Sequence, residues 1–115
     1  MNVFLRKVKE EMLTDLEISF IKKRLGEKYN PDKIILFGSQ ARNDSDKNSD
    51  IDLLVLINPN GNRRKLMVEM DRTLRGLNYS RDIVILSSKE FERDKYIAGT
   101  LARYAYLEGK VLYEH

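Results

Sequence analysis

The sequence contains no cysteine, no tryptophan, only two prolines, and a single histidine that is also its last residue. Without cysteine there is no disulfide framework and no thiolate metal site, which suits a reducing, cytoplasmic setting. One histidine cannot build a multi-histidine zinc site, and histidine-based acid–base chemistry drops out of consideration. No apolar run is long enough to span a bilayer, and the N-terminal residues lack the apolar core of a signal peptide. The excess of positive charge is small, with 21 Lys and Arg against 18 Asp and Glu, net +3. Such a balance describes a mixed surface and does not by itself argue for nucleic-acid binding. Carboxylates, hydroxyls, lysines and arginines remain to carry any chemistry. At 115 residues the chain suits one domain.

The first thirty residues are helical in pattern: Phe4, Leu5, Val8, Met12, Leu13, Leu16, Phe20, Ile21 and Leu25 follow a 3.6-residue period. Thr14 followed by Glu17 has the form of a capping box, so two helices are expected to meet there. Asn30-Pro31 closes the segment. Three short apolar runs, "KIILFG", "IDLLVLI" and "DIVIL", read as buried strands. Between the second and third, "NRRKLMVEMDRTLRGL" carries its apolar stripe on Leu66, Met67, Met70, Leu74 and Leu77, as a crossover helix should. Ser87 or Ser88 caps a helix through "KEFERDKY", which the period continues through Tyr96, Leu101, Tyr104 and Ala105 to Gly109. "KVLYE" is expected as a short last strand. The order is α–β–α–β–α–β, an α/β (α+β) fold with a small mixed sheet. One domain over 1–115 is expected, divided into an N-terminal helical segment (1–29) and a core (33–115).

Strands joined by a crossover helix run parallel, so Asp50/Asp52 and Asp82 should lie at one end of the sheet. If the first strand pairs antiparallel to the second, its end at Gly38-Ser39 arrives there too. Asp50 and Asp52, two apart, would share a face. Three gathered carboxylates need a compensating cation, and an oxygen-only set favours a hard one such as magnesium, commonly held together with substrate phosphates. Gly38 allows close backbone approach, and the Ser39 hydroxyl can donate to a phosphate. The chemistry that follows is phosphoryl or nucleotidyl transfer.

A calcium loop, a sugar-nucleotide site and a plain solvated loop suit the stretch less well. Asp44, Asp46, Asn48, Asp50 and Asp52 fall on calcium-loop positions, but Ser49 replaces the turn glycine and Val55 the bidentate glutamate. A sugar-nucleotide Asp-x-Asp leaves Gly38-Ser39 unexplained. A solvated loop with chance aspartates leaves the shared topology unexplained, although it suits Asp44 and Asp46 themselves.

"GSQARNDSDKNSDID" fits Gly-Ser, ten residues, Asp-x-Asp, and here the chain resembles the minimal nucleotidyltransferases (MNT) of the DNA polymerase β-like superfamily. The resemblance runs from "DKIILFGSQAR" through "SDIDLLV" and "RDIVIL" to "LEGKVLYE". It departs at Gln40 and Asn43, where family members commonly carry Arg and Gly. The resemblance implies a single-domain nucleotidyltransferase fold in which Asp50 and Asp52 hold two Mg²⁺ ions. Asp82 would bind one of them and help activate the acceptor hydroxyl. Gly38, Ser39 and Arg42 would hold the phosphates of ATP or another NTP. It further implies an antitoxin paired with a HEPN-domain toxin, transferring AMP to a tyrosine of that partner. The alternatives are an antitoxin that neutralises by binding alone, and a nucleotidyltransferase acting on RNA or a small molecule. Homo-oligomerisation is left open.

Two further features stay ambiguous in the sequence. "NRRK", Arg72 and Arg75 form either a solvated helix face or a patch for a partner or RNA. Tyr96, Tyr104, Tyr106 and Tyr113 form either a contact surface or core packing.

Overall fold

The computed structural model describes residues 13–38 and 50–115. The expected helix over the first twelve residues therefore lies outside the described residues, as does the loop between the first two strands. Thr14 opens α1 (Asp15–Ile21) with the expected capping box: its hydroxyl accepts from the Glu17 amide at 3.1 Å, and Glu17 accepts from the Thr14 amide at 2.9 Å. The helix then widens into a π-helical turn over Lys22–Glu27. Asn30, at φ 47°, turns the chain before Pro31.

Four strands follow: β1 (Lys33–Phe37), β2 (Ile51–Leu56), β3 (Arg81–Leu86) and β4 (Lys110–Glu114). Their spatial order is β3-β2-β1-β4. β1 runs antiparallel to β2 and β4, whereas β2 and β3 are parallel. That parallel pair requires a crossover, supplied by α2 (Arg63–Thr73), which Asn62 caps by accepting from the Lys65 amide at 3.1 Å.

Alternation along the strands divides the core in two. Ile34 and Leu36, Ile51, Leu53 and Val55, and Ile83 and Ile85 face one side. There they meet Ile21 and Leu25 of the first helical segment and Met70 and Leu74 at the end of α2. On the other side, Ile35, Phe37, Leu54 and Leu56 pack on Phe91, Ala102 and Ala105. Because both faces are covered, the strands read as continuous apolar runs rather than alternating ones.

The covering of this second face differs from the sequence expectation. The helix through "KEFERDKY" ends early, giving α3 (Ser88–Asp94) and a separate α4 (Leu101–Glu108). The Thr100 hydroxyl causes the break: it donates to the Asp94 and Ile97 carbonyls at 2.9 and 2.8 Å and accepts from the Arg103 amide at 3.1 Å. It thus closes one helix and caps the next. Ser87, not Ser88, caps α3, in a box with Glu90. Among the described residues no helix is long and apolar enough to cross a membrane.

Candidate active site

The three expected carboxylates reach one end of the sheet by different routes. Asp52, in β2, pairs in register with Phe37 of β1 on one side and with Asp82 of β3 on the other. By strand alternation Asp52 lies on the face of Leu54 and Leu56, and Asp82 on that of Val84 and Leu86. Both aspartates therefore lie on the α3–α4 side, as neighbours across a parallel ladder. Asp50 is exposed and stands one residue ahead of β2. The ladder itself begins at Ile51, whose amide donates to the Ser80 carbonyl at 2.8 Å. Among the described residues, no three His, Cys, Asp or Glu side chains form a group already placed to hold a metal ion.

Gly38 completes the arrangement from β1. Its φ is 77°, and a Cβ built there would run into Asp52 Oδ2, with Cγ at 3.3 Å. Only a residue without a side chain allows the Asp52 carboxylate to lie against this turn. The remaining expected residues, Ser39 and Arg42, lie outside the described residues.

The start of β3, where Asp82 stands, is anchored through the preceding residue. Arg81 has a side chain only 15% exposed, and its Nε pairs with Asp71 Oδ1 at 3.0 Å. Its Nη1 donates to the carbonyls of Leu77 and Tyr79 at 3.1 and 3.2 Å. One buried guanidinium thus ties the loop leading into β3 to the end of α2. In that loop, burial pushes the Tyr79 hydroxyl above its ordinary value, and the nearby charge of Glu17 adds to the effect.

Chain length alone suggests that little remains to wall a cleft beside these carboxylates, but α4 provides a wall. An open cavity of about 540 Å³ lies between Phe37 and α4, lined by Thr100, Leu101, Arg103, Tyr104 and Leu107. Phe37 meets Tyr104 edge to face at 6.4 Å. Since Phe37 is the register partner of Asp52, this apolar cavity begins beside the carboxylate end. The sequence signal for it is Gly99-Thr100, a glycine that takes φ 86° followed by the N-cap of α4, which sets the break that positions this helix. Of the four C-terminal tyrosines, Tyr96, Tyr104 and Tyr106 are exposed, as a contact surface would have them. Tyr113 is half-buried and donates to Asn30 Oδ1 at 2.9 Å.

"NRRK" also resolves into separate roles. Arg63 donates to the Ile85 carbonyl at 3.1 Å and pairs with Glu90 at 3.1 Å, linking α2 to β3 and α3. Arg64 and Lys65 are exposed.

The profile of the nucleotidyltransferase domain family matches residues 18–112. No curated protein gives a significant match. Among solved structures, the chain is similar to a toxin–antitoxin with AMP-PNP, at 26% identity and TM-score 0.59, over 85% of this chain and 73% of that one. It is also similar to the toxin–antitoxin MntA-HepT, at 25% identity and TM-score 0.56, over 89% and 74%. A tri-AMPylated Shewanella oneidensis HEPN toxin in complex with MNT antitoxin shares the fold, at 24% identity and TM-score 0.56, over 90% and 74%. The matched region takes in all four strands nearly to the end of β4, with Gly38, Asp52 and Asp82 inside it, and the chain belongs to the nucleotidyltransferase domain family.

Proposed function

We propose that this nucleotidyltransferase is the Mg²⁺-dependent antitoxin of a HEPN/MNT pair, transferring AMP from ATP to a tyrosine hydroxyl of its partner toxin. The observation that carries the proposal is the juxtaposition of Gly38, Asp52 and Asp82 at one sheet end. The similar structures add to it: one holds AMP-PNP, and another pairs MntA with HepT.

The donor set suits magnesium. Asp52 and Asp82 are all-oxygen donors on adjacent strands and the same face, and exposed Asp50 is a third close by in sequence. Asp50 and Asp52 would hold two ions, and Asp82 would share one. When bound, magnesium neutralises phosphate charge and supports in-line displacement. Gly38 keeps the turn free of a side chain, so that the backbone can approach the β- and γ-phosphates, with Ser39 and Arg42 donating to them. Asp82 accepts the proton of the acceptor hydroxyl. The hydroxyl oxygen forms a bond to the α-phosphorus, the bond from that phosphorus to the bridging oxygen breaks, and pyrophosphate leaves. The exposed residues lining the cavity beside the site, Tyr104 and Leu107, suit a protein acceptor.

Incubation with Mg²⁺, each NTP in turn and the product of the neighbouring gene, followed by intact-mass measurement, tests the proposal. An AMP-sized increment on the partner is expected, and Asp50→Ala or Asp52→Ala should abolish it. Neutralisation that survives both substitutions with no change in mass would instead establish an antitoxin acting by binding alone. Labelling confined to added RNA would refute both antitoxin roles.

A further inference from the structure

The face of the sheet opposite the carboxylates carries a second feature, formed by residues far apart in the chain. Lys23, Arg24 and Lys28 on the first helical segment face Arg72 and Arg75 on and just beyond α2. Together with Phe20, Glu27 and Thr73 they line a groove of about 700 Å³. Five cations and a single acid share this groove, although the chain as a whole is nearly balanced at +3. All five are exposed, and among the described residues none of them forms an ion pair. Elsewhere, arginines of α2 and β3 are engaged: Arg63 with Glu90, Arg81 with Asp71.

The groove is built rather than incidental. Beside it, Tyr29 links the two walls: its hydroxyl donates to Glu69 Oε1 of α2 at 3.0 Å and lies 3.2 Å from Oγ1 of the lining residue Thr73. Lys28 Nζ reaches the same Thr73 hydroxyl at 3.4 Å. Lys23, Arg24 and Glu27 sit on the π-helical turn, a wider geometry that is rare and concentrates at functional sites. The Arg24 guanidinium lies over the Phe20 ring, 5.0 Å from its centroid. Phosphate-sized anions would meet cations from both walls. A planar base would meet an arginine already stacked on an aromatic ring, the combination used to hold single strands. An acidic peptide would use the charges but not the stacked Arg24–Phe20 pair.

We propose that this groove binds a single-stranded polynucleotide through its phosphates, with a base against Arg24 and Phe20. The groove packs against the α1–α2 side of the sheet, so the strand would leave the carboxylate end on the α3–α4 side accessible. The proposal is independent of the transfer reaction and of the partner toxin.

The test uses the whole chain and fluorescein-labelled oligo(U) and oligo(dT) of about 20 nucleotides, with anisotropy read across a salt series. Binding is expected with a slope of log K against log salt between about −2 and −3.5, for three to five phosphates neutralised. Preference for one oligonucleotide distinguishes RNA from DNA as the source and supports the proposal either way. The variant Arg24→Ala/Arg72→Ala/Arg75→Ala should bind more than tenfold more weakly, with a slope shallower by about 2. All three side chains are exposed, so its melting temperature should match the parent. Arg72→Gln/Arg75→Gln, which leaves the Arg24–Phe20 pair in place, should also bind more weakly, with a slope shallower by about 1.4, and keeps the test decisive if the alanine variant misfolds. No binding at low salt, unchanged binding by the triple variant, or binding of polyaspartate in preference to both oligonucleotides would overturn the proposal.

Discussion

Gly38→Ala separates the Asp52 contact from ordinary backbone strain. At φ 77°, alanine incurs the left-handed penalty of about 1–2 kcal/mol. Its methyl also meets Asp52 Oδ2, with Cγ at 3.3 Å, so the carboxylate or the turn must move, which adds about 1–3 kcal/mol of overpacking. Gly61→Ala is the matched control. Gly61 has φ 102°, and a Cβ there meets nothing within 4 Å. It should lose only the backbone term, or about 4–8 °C of melting temperature for a domain this size. Gly38→Ala should lose about 8–20 °C. Function should diverge more sharply than stability. Displacing a positioned catalytic group by even about 1 Å can cost on the order of 100-fold in rate. Thermal melts with and without Mg²⁺ and ATP report nucleotide binding without knowledge of the acceptor, since a ligand bound only to the native state raises its melting temperature. That upward shift should persist in Gly61→Ala and vanish in Gly38→Ala. If the two variants melt alike and both respond to Mg²⁺ and ATP, the Asp52 carboxylate does not depend on Gly38, and the turn has no part in shaping the site.

Three further perturbations address the supports of the site. Asp82→Asn should reduce transfer by at least about 100-fold while changing stability by less than about 0.5 kcal/mol, since Asp82 is exposed at a strand start; comparison of turnover and thermal melts checks both. Arg81→Met strands the Leu77 and Tyr79 carbonyls and the Asp71 carboxylate, so urea unfolding should show a loss of about 1–3 kcal/mol and transfer should weaken with it. Unchanged transfer would show that the β3 loop does not position Asp82. Glu90 is held below its ordinary 4.5, first by the Ser87 backbone amide and then by Arg63. Its stabilisation is therefore present above that value and is lost as pH falls through its lowered folded value. Wild type should exceed Glu90→Gln in stability at neutral pH, and the difference should close on acidification; a difference independent of pH would refute the contribution of the Glu90 charge.

Much of this arrangement was legible because it depends on local chemistry. Continuous β-branched runs bounded by polar residues mark β1, β2 and β3, and the Leu66–Leu77 stripe marks the crossover between parallel strands. From those two facts the meeting of Asp52, Asp82 and Gly38 followed. The break between α3 and α4 was masked because Tyr96, Leu101 and Tyr104 keep helical period across it, while the residues that make it are only two, Gly99 at φ 86° and the capping Thr100. The π-helical turn was equally hidden, since Phe20, Ile21 and Leu25 fit an ordinary helix. The basic groove required three-dimensional proximity: Arg72 and Arg75 become informative only when Lys23, Arg24 and Lys28 stand opposite them.

The same aspartates bear on how the sheet finds its register. β2 is buried on both faces, so alternation of apolar and polar residues cannot fix its alignment with β1 and β3. A slip of one residue would still place aliphatic side chains against aliphatic side chains along Leu53–Leu56. It would also turn Asp52 from the α3–α4 side to the α1–α2 side, among Ile21, Leu25 and Met70, all fully buried. A carboxylate buried among those three without a cation costs several kcal/mol, far more than any repacking of Leu, Ile and Val could recover. The polar ends of these strands thus exclude the alternatives that their apolar middles would tolerate. Placing the proposed metal-binding carboxylates at this end makes one set of residues responsible for both the pairing of β1, β2 and β3 and the chemistry they carry.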